Sequence, residues 1–196
     1  MNGVSRETKS KLSAYVDLLQ HWQNSINLIG SATIDEIEQR HIVDSLQLLQ
    51  YLPTRCRLII DMGSGAGFPG LVLAIASDSK VILIEADQRK SVFLNTVRRK
   101  LRLDNVEVIN TRIEAAGSLK ADCITARALA PLDKLLEYTR MVSAGSAVRC
   151  LFHKGRLWKS EVADLGRTIP KTALESHPSQ TDPDAAILQI DLNGSD

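Results

Sequence analysis

Behind the apolar run Leu58-Ile59-Ile60, the stretch from Asp61 to Gly70 reads DMGSGAGFPG, four glycines and a proline in ten residues. Glycines in a loop that leaves a strand let the backbone approach a ligand closely, and Pro69 suits the first turn of a helix beginning near Gly70. Two frames overlap there. Gly65 to Gly70 satisfies the dinucleotide pattern G-x-G-x-x-G. The frame opening at Asp61 and running through Gly63 and Gly65 satisfies the acidic G-x-G-x-G loop that holds S-adenosylmethionine. Glu85 ends the next apolar run, where a carboxylate accepts both hydroxyls of an adenosine ribose whichever cofactor carries it. The shared chemistry is an adenosine cofactor.

Asp61 separates the frames. A pyrophosphate on a helix N-terminus wants backbone N–H groups and no carboxylate beside it, whereas the aminoacyl end of a methyl donor carries an ammonium that an acid suits. Gly65 also falls late for a turn that leaves the strand at once. The methyl-donor frame fits better. Further along, Glu114 and Arg127 follow the third strand and end the fourth, at the same rim. Glu114 reads equally as a helix-start acid, and an arginine at a cleft is costly unless paired or facing an anion. His41 and Asp44 stand at i, i+3 on a helix, which puts them on one face as a cleft element or a plain stabilising pair. No His/Cys/Asp/Glu spacing predicts a metal site.

The elements that must position these residues follow from periodicity. Leu12, Tyr15, Leu19, Trp22 and Ile26 form one apolar stripe of a helix over about 5–24. Thr33-Ile34-Asp35-Glu36 reads as a capping box opening a second helix through Ile34, Ile37, Val43, Leu46, Leu49 and Leu52, which Pro53 stops. After Pro53, apolar runs at 57–61, 81–85, 106–110, 122–127, 147–152 and 187–192 alternate with helical stretches near 71–77, 90–102, 132–142 and 157–165. That alternation predicts an α/β fold with a mainly parallel sheet covered on both faces. The segments 172–176 and 187–192 have no helix between them and predict a closing antiparallel hairpin. The expected organisation is a helical cap over 1–54 and a catalytic domain over 55–196, one unit overall.

A formal net charge of +1 gives no global pull toward nucleic acid, so a polyanion must be met by local patches. Arg89, Lys90, Arg98, Arg99, Lys100 and Arg102 form one such cluster, which reads first as a solvated helix face. His153, Lys154, Arg156 and Lys159 form a second, on the rim where a substrate enters. Three dispersed cysteines, the lack of an apolar leader and the lack of a spanning run point to a cytoplasmic chain with no membrane. Only 4% of residues are aromatic, too few for a base-stacking platform.

Several separated motifs carry a resemblance. Trp22, Asn27-Leu28, Arg40-His41-Ile42-Val43-Asp44-Ser45, the Asp61–Gly70 loop ending in Phe68-Pro69-Gly70, Arg112-Ile113-Glu114, Arg127-Ala128 and Lys154-Gly155 resemble ribosomal RNA small-subunit methyltransferase G. These are the bacterial 16S rRNA guanine-N7 methyltransferases, also called the glucose-inhibited division protein B family. The resemblance implies a class I S-adenosyl-L-methionine-dependent methyltransferase fold with an N-terminal helical cap, acting as a monomer on 16S ribosomal RNA in the small subunit or its precursor. It implies donor contacts at Gly63, Phe68, Ile113, Glu114 and Arg127, with Glu85 on the ribose and Asp61 and Gly65 in the loop. It puts Asn27, His41, Arg112 and Lys154 on the RNA side or in the catalytic cleft, and Arg112 and Lys154 are expected to hold guanine O6 or a phosphate. Two departures stand out: Asp184-Ala185-Ala186 where the family carries a basic Arg-His pair, and Ala115-Ala116 after the R-I-E motif. The competing readings are a nicotinamide-dependent oxidoreductase using the literal G-x-G-x-x-G, and a non-catalytic RNA-binding module with a relict loop. Intact Gly63, Gly65, Gly67 and Glu85 count against the relict.

Overall fold

Apolar residues alternate between two cores along each central strand, and this decides the architecture. In β1 (Leu58–Met62), Ile59 packs into one core while Ile60 and Met62 pack into the other. In β2 (Lys80–Ile84), Val81 and Leu83 face one way, Ile82 and Ile84 the other. Successive side chains point to opposite faces of a sheet, so a strand apolar throughout must be covered on both. A computed structural model describes residues 4–166 and 173–194.

The remaining strands are β3 (Val106–Ile109), β4 (Cys123–Arg127), β5 (Val148–Lys154), β6 (Leu174–Pro178) and β7 (Ala186–Leu192). They form one seven-stranded sheet in the order β3-β2-β1-β4-β5-β7-β6. β1 to β5 pair in parallel, and β7 enters antiparallel between β5 and β6. The order reverses at β1, so the crevice for a ligand opens above the carboxyl ends of β1, β2 and β4. The hairpin expected at the edge is present, one strand further in than a simple edge extension, with its strands at 174–178 and 186–192; Thr172 lies outside the described residues.

The first helix, α1 (Arg6–Gln23), starts at the Ser5 side chain, which accepts from the Thr8 amide. It buries Leu12, Tyr15 and Leu19 against α3 (Gly70–Ala76) and α4 (Gln88–Lys100) on one side of the sheet. The other side is covered by α5 (Leu132–Ser143), whose buried Leu132, Leu135 and Leu136 meet Ile60, Ile124 and Phe152 in one core. A short α6 (Trp158–Asp164) adds Trp158 and Val162 to that side.

The second helix differs from its expected form. It is a 3-10 segment (Ser31–Glu36), a π-helical segment (Glu38–Val43), one α turn, α2 (Asp44–Leu46), and a further 3-10 segment (Gln47–Tyr51). Thr33 is not its N-cap: Gly30 takes that place, and the Thr33 hydroxyl bonds His41 instead. The expected apolar stripe is also incomplete. Ile42 and Leu48 are more buried than Val43 or Leu49, and the polar His41, Asp44, Ser45 and Gln47 are buried as well. A wide π turn shifts side chains off 3.6-residue periodicity, and here it turns a polar face toward the sheet.

Candidate active site

β1 ends at Met62, and Gly63 turns the chain with φ +63°. Three of the loop's amides are engaged, the first two by backbone: Ser64 N–H donates to Ile84 O (3.1 Å) and Gly67 N–H to Ser64 O (2.6 Å). Gly65 N–H donates to Glu85 Oε2 (2.7 Å), and Asp87 N–H donates to Glu85 Oε1 (2.7 Å). Each Glu85 oxygen keeps a lone pair. The Tyr15 hydroxyl, buried beneath, donates to Ala66 O (2.5 Å). With these amides engaged, the loop has little to offer a pyrophosphate, and the G-x-G-x-x-G frame opens at Gly65, three residues past the strand's end.

Asp61 sits beneath this loop and not in the crevice wall. It is fully buried, its Oδ1 accepts from the Thr125 hydroxyl (2.8 Å), and its Oδ2 is without a hydrogen-bond partner. Burial pushes its pKa up to about 6. The Asp61 side chain, expected beside a ligand ammonium, thus lies against Thr125 of β4 and does not line the crevice.

Above the loop lies a cavity of about 520 Å³. Gly63, Gly65, Phe68, Glu85, Ile113, Glu114 and Arg127 all line it. Glu114 accepts from the Tyr138 hydroxyl (3.1 Å), and its carboxyl is held below the usual range, first by its own backbone amide and also by that hydroxyl. Leu28, Ile29, Lys90, Leu129 and Tyr138 also line it, and of these the sequence gave no sign of Ile29, Leu129 or Tyr138. Gln23 fixes the Leu28–Ile29 turn by accepting from both amides (2.9 and 3.1 Å) and donating to Ile29 O (2.9 Å).

A second cavity, of about 400 Å³, shares His41, Arg127 and Ala128 with the first. Lys154, Arg40, Arg156, Glu161 and Asp182 line the rest of it. Ala128, at the shared wall, has φ +51°, a conformation that costs a non-glycine residue roughly 1–2 kcal/mol. Each carboxylate of this cavity faces a cation: Asp44 and Arg127 at 3.3 Å, Glu161 and Lys154 at 2.7 Å, Asp182 and Arg40 at 3.5 Å.

The shared wall is a stack. The His41 ring lies on Phe68 (centroids 4.9 Å apart, planes 19° apart), and the Arg127 guanidinium sits 5.7 Å from the Phe68 centroid. An arginine can only donate, so the hydrogen bond between Arg127 Nη2 and His41 Nδ1 makes Nδ1 the acceptor. His41 then carries its proton on Nε2 and donates to Thr33 Oγ1 (2.9 Å), whose own hydroxyl donates to Gly30 O (2.9 Å). Burial, followed by the Arg127 charge, pushes His41 down to about 4, so the ring is neutral near pH 7.

The four residues expected on the RNA side do not come together. His41 is at the shared wall and Lys154 in the second cavity, but Arg112 is exposed and lines the first cavity. Asn27 is exposed and lines neither cavity, while its neighbours Leu28 and Ile29 do. Lys154 is the last residue of β5, and its ammonium donates to Ala130 O (2.9 Å) and pairs with Glu161. One of its three protons remains for a ligand. Sequence reasoning named Asp44 only as the helix neighbour of His41 and His153 only within a basic cluster, and missed that both are buried beside Arg127. Their only signal was the His41–Asp44 spacing and the basic cluster around Lys154. No group of His, Cys, Asp and Glu among the described residues could hold a metal ion, and no helix there is long and apolar enough to cross a membrane.

The model of the rRNA small subunit methyltransferase G family matches residues 8–180. A protein named ribosomal RNA small subunit methyltransferase G from Cereibacter sphaeroides is 45% identical over 192 residues, covering 95% of this chain and 92% of that protein. The protein of the same name from Paracoccus denitrificans is 45% identical over 188 residues, covering 95% of this chain and 96% of that one. Among solved structures, a SAM-dependent methyltransferase from Aquifex aeolicus superposes with a TM-score of 0.58 at 16% identity, covering 82% of this chain and 95% of that chain, a likeness of fold.

Proposed function

The chain belongs to the rRNA small subunit methyltransferase G family, and from that membership we propose that it transfers a methyl group from S-adenosyl-L-methionine to guanine N7 of small-subunit ribosomal RNA. The observation that carries the reading is the pair of cavities joined at His41, Arg127 and Ala128, one with the features of a donor site and one ringed by cations.

The first cavity suits the donor. Glu85 presents a buried carboxylate with lone pairs free for ribose hydroxyls, and Gly63 and Gly65 keep side chains out of the wall. Ile113 supplies an apolar surface for a base, and Glu114 and Tyr138 supply polar groups at its edge. Arg127 Nη1, buried and facing Asp44 Oδ2 at 3.3 Å, holds the guanidinium at this wall. When bound, S-adenosylmethionine supplies a methyl group carried on a positively charged sulfur.

The second cavity suits an acceptor that needs no deprotonation. Guanine N7 attacks through a neutral lone pair, so the site requires no general base. All three carboxylates there are paired with cations, and His41 already uses both ring nitrogens. What the residues provide is position, an effect worth up to roughly 7–11 kcal/mol in favourable cases. Arg40, Arg156 and the remaining proton of Lys154 can meet phosphate or guanine O6. Arg112, at the first cavity, takes the more distant role of a phosphate contact at its mouth.

We extend the reading to a monomer that meets RNA through local contacts, in the cytoplasm where ribosomal RNA resides; the large apolar residues exposed among those described are Val92, Met141 and Leu157. Incubation with methyl-tritiated donor and, separately, small ribosomal subunits, naked small-subunit RNA and an unrelated RNA tests the proposal. Label is expected in small-subunit RNA only. Absence of label there would overturn it.

A further inference from the structure

Asp44 bonds in two directions at once. Its Oδ1 accepts from Gln47 Nε2 (2.7 Å), from the Thr181 hydroxyl (2.9 Å) and from the Ser179 hydroxyl (3.2 Å). Its Oδ2 faces Arg127 Nη1 at 3.3 Å and His153 Nε2 at 3.6 Å. Ser179 and Thr181 belong to the turn between β6 and β7, which lines the second cavity, whereas Arg127 is in the wall of both cavities. Two further contacts hold the same turn to the second helix: Gln180 N–H to Gln47 Oε1 (3.1 Å), and the Arg40–Asp182 pair.

This carboxylate has little freedom. Its side chain is 12% exposed and Arg127's is 19%, so neither charge is relieved by water. Asp44 is the one carboxylate that pairs with Arg127 among the described residues, and the backbone of Asp44 is itself pinned, its carbonyl accepting from His153 Nε2 (2.9 Å). A shift of the hairpin turn must therefore pull one oxygen, and the rigid carboxyl moves the other against the guanidinium. Because Arg127 in turn holds His41 and lies on Phe68, the displacement reaches the donor wall.

We propose that Asp44 is a positioning residue that ties the β6–β7 turn over the acceptor cavity to Arg127 in the wall of the donor cavity, so that one carboxylate aligns both halves of the site. The inference rests on the functional reading above. Within this turn Asp182 is engaged by Arg40, and the turn serves as a part of the wall held by hydroxyls.

The test is a double-mutant cycle on the full chain with Thr181→Val and Asp44→Asn. It reads the affinity for S-adenosylhomocysteine by calorimetry, KM for small-subunit RNA at saturating donor, and the thermal midpoint. Thr181→Val should raise the RNA KM roughly fivefold and, through Asp44 and Arg127, weaken S-adenosylhomocysteine roughly threefold, with the thermal midpoint near wild type. Asp44→Asn should weaken S-adenosylhomocysteine and raise the RNA KM, each roughly tenfold. The double variant should fall well short of the product of the single effects on KM, since both remove the same link. Additive effects, or an unchanged KM in Thr181→Val, would overturn the inference. A wild-type protein that methylates no small-subunit RNA would instead sink the functional reading itself, so the two failures are told apart.

Discussion

The two cavities are built from different materials. The donor side is backbone and strand ends: a loop turned by glycines, a carboxylate that clamps two amides, and a neighbouring 3-10 turn at Ile113. The acceptor side is side chains gathered from the second helix, β4, β5, α6 and the β6–β7 turn, held by ion pairs between them. Backbone geometry is set locally, whereas a charge lattice exists only once distant segments meet. The first kind of site tolerates changes elsewhere; the second should respond to any member removed.

Arg127, common to both, should show the largest effect. Arg127→Ala leaves the Asp44 carboxylate buried without its cation, a loss of a kind that costs roughly 3–5 kcal/mol. Donor-product affinity and RNA KM should both worsen by roughly a hundredfold or more. An effect confined to one substrate would separate cavities that are here joined. Glu85→Ala should act on the donor side alone, weakening S-adenosylhomocysteine roughly thirtyfold with RNA affinity unchanged. Salt should do the reverse. Between about 50 and 200 mM, RNA KM should rise roughly tenfold if a few phosphates are neutralised, while donor affinity barely moves.

Asp61→Asn is a finer test of the donor scaffold. The raised pKa means the folded protein holds that proton more tightly than the unfolded chain does, so this stabilisation is present at low pH and lost as pH rises through about 6. Asparagine escapes that loss. The variant should gain on wild type by roughly 2 kcal/mol between pH 4 and pH 8, read from thermal midpoints. A difference flat with pH would contradict the buried, protonatable Asp61. Gly63→Ala should have the smallest effect on stability, roughly 1–2 kcal/mol for a left-handed φ, with some donor affinity lost because its Cβ would come 2.5 Å from Leu129 Cδ1 unless that flexible side chain turns away.

The same contrast explains what the amino-acid sequence revealed. The parallel sheet was legible because both faces are covered, which makes β1 and β2 continuous apolar runs. The donor loop was legible because its glycines mark backbone turns, and Glu85 because it ends the next strand. The second helix was misread because a π turn breaks the periodicity on which the reading depended, and its buried face is partly polar, so the apolar stripe seen there did not mark the buried side. Asp61 was placed in the wall since a pattern gives order along the chain, not which side of a loop an acid occupies. The contacts of Asp44 and His153 were not foreseen because their partners lie 83 and 109 residues away, at Arg127 and Asp44. Nothing local announces such pairs.

The central claim is that the acceptor needs no proton removed. RNA labelled by the protein with tritiated donor, digested to nucleosides and separated by chromatography, tests it most directly. The account predicts that all label migrates with 7-methylguanosine. Label in a nucleoside methylated at guanine N1, at guanine N2 or on the ribose, where a proton must leave, would contradict it.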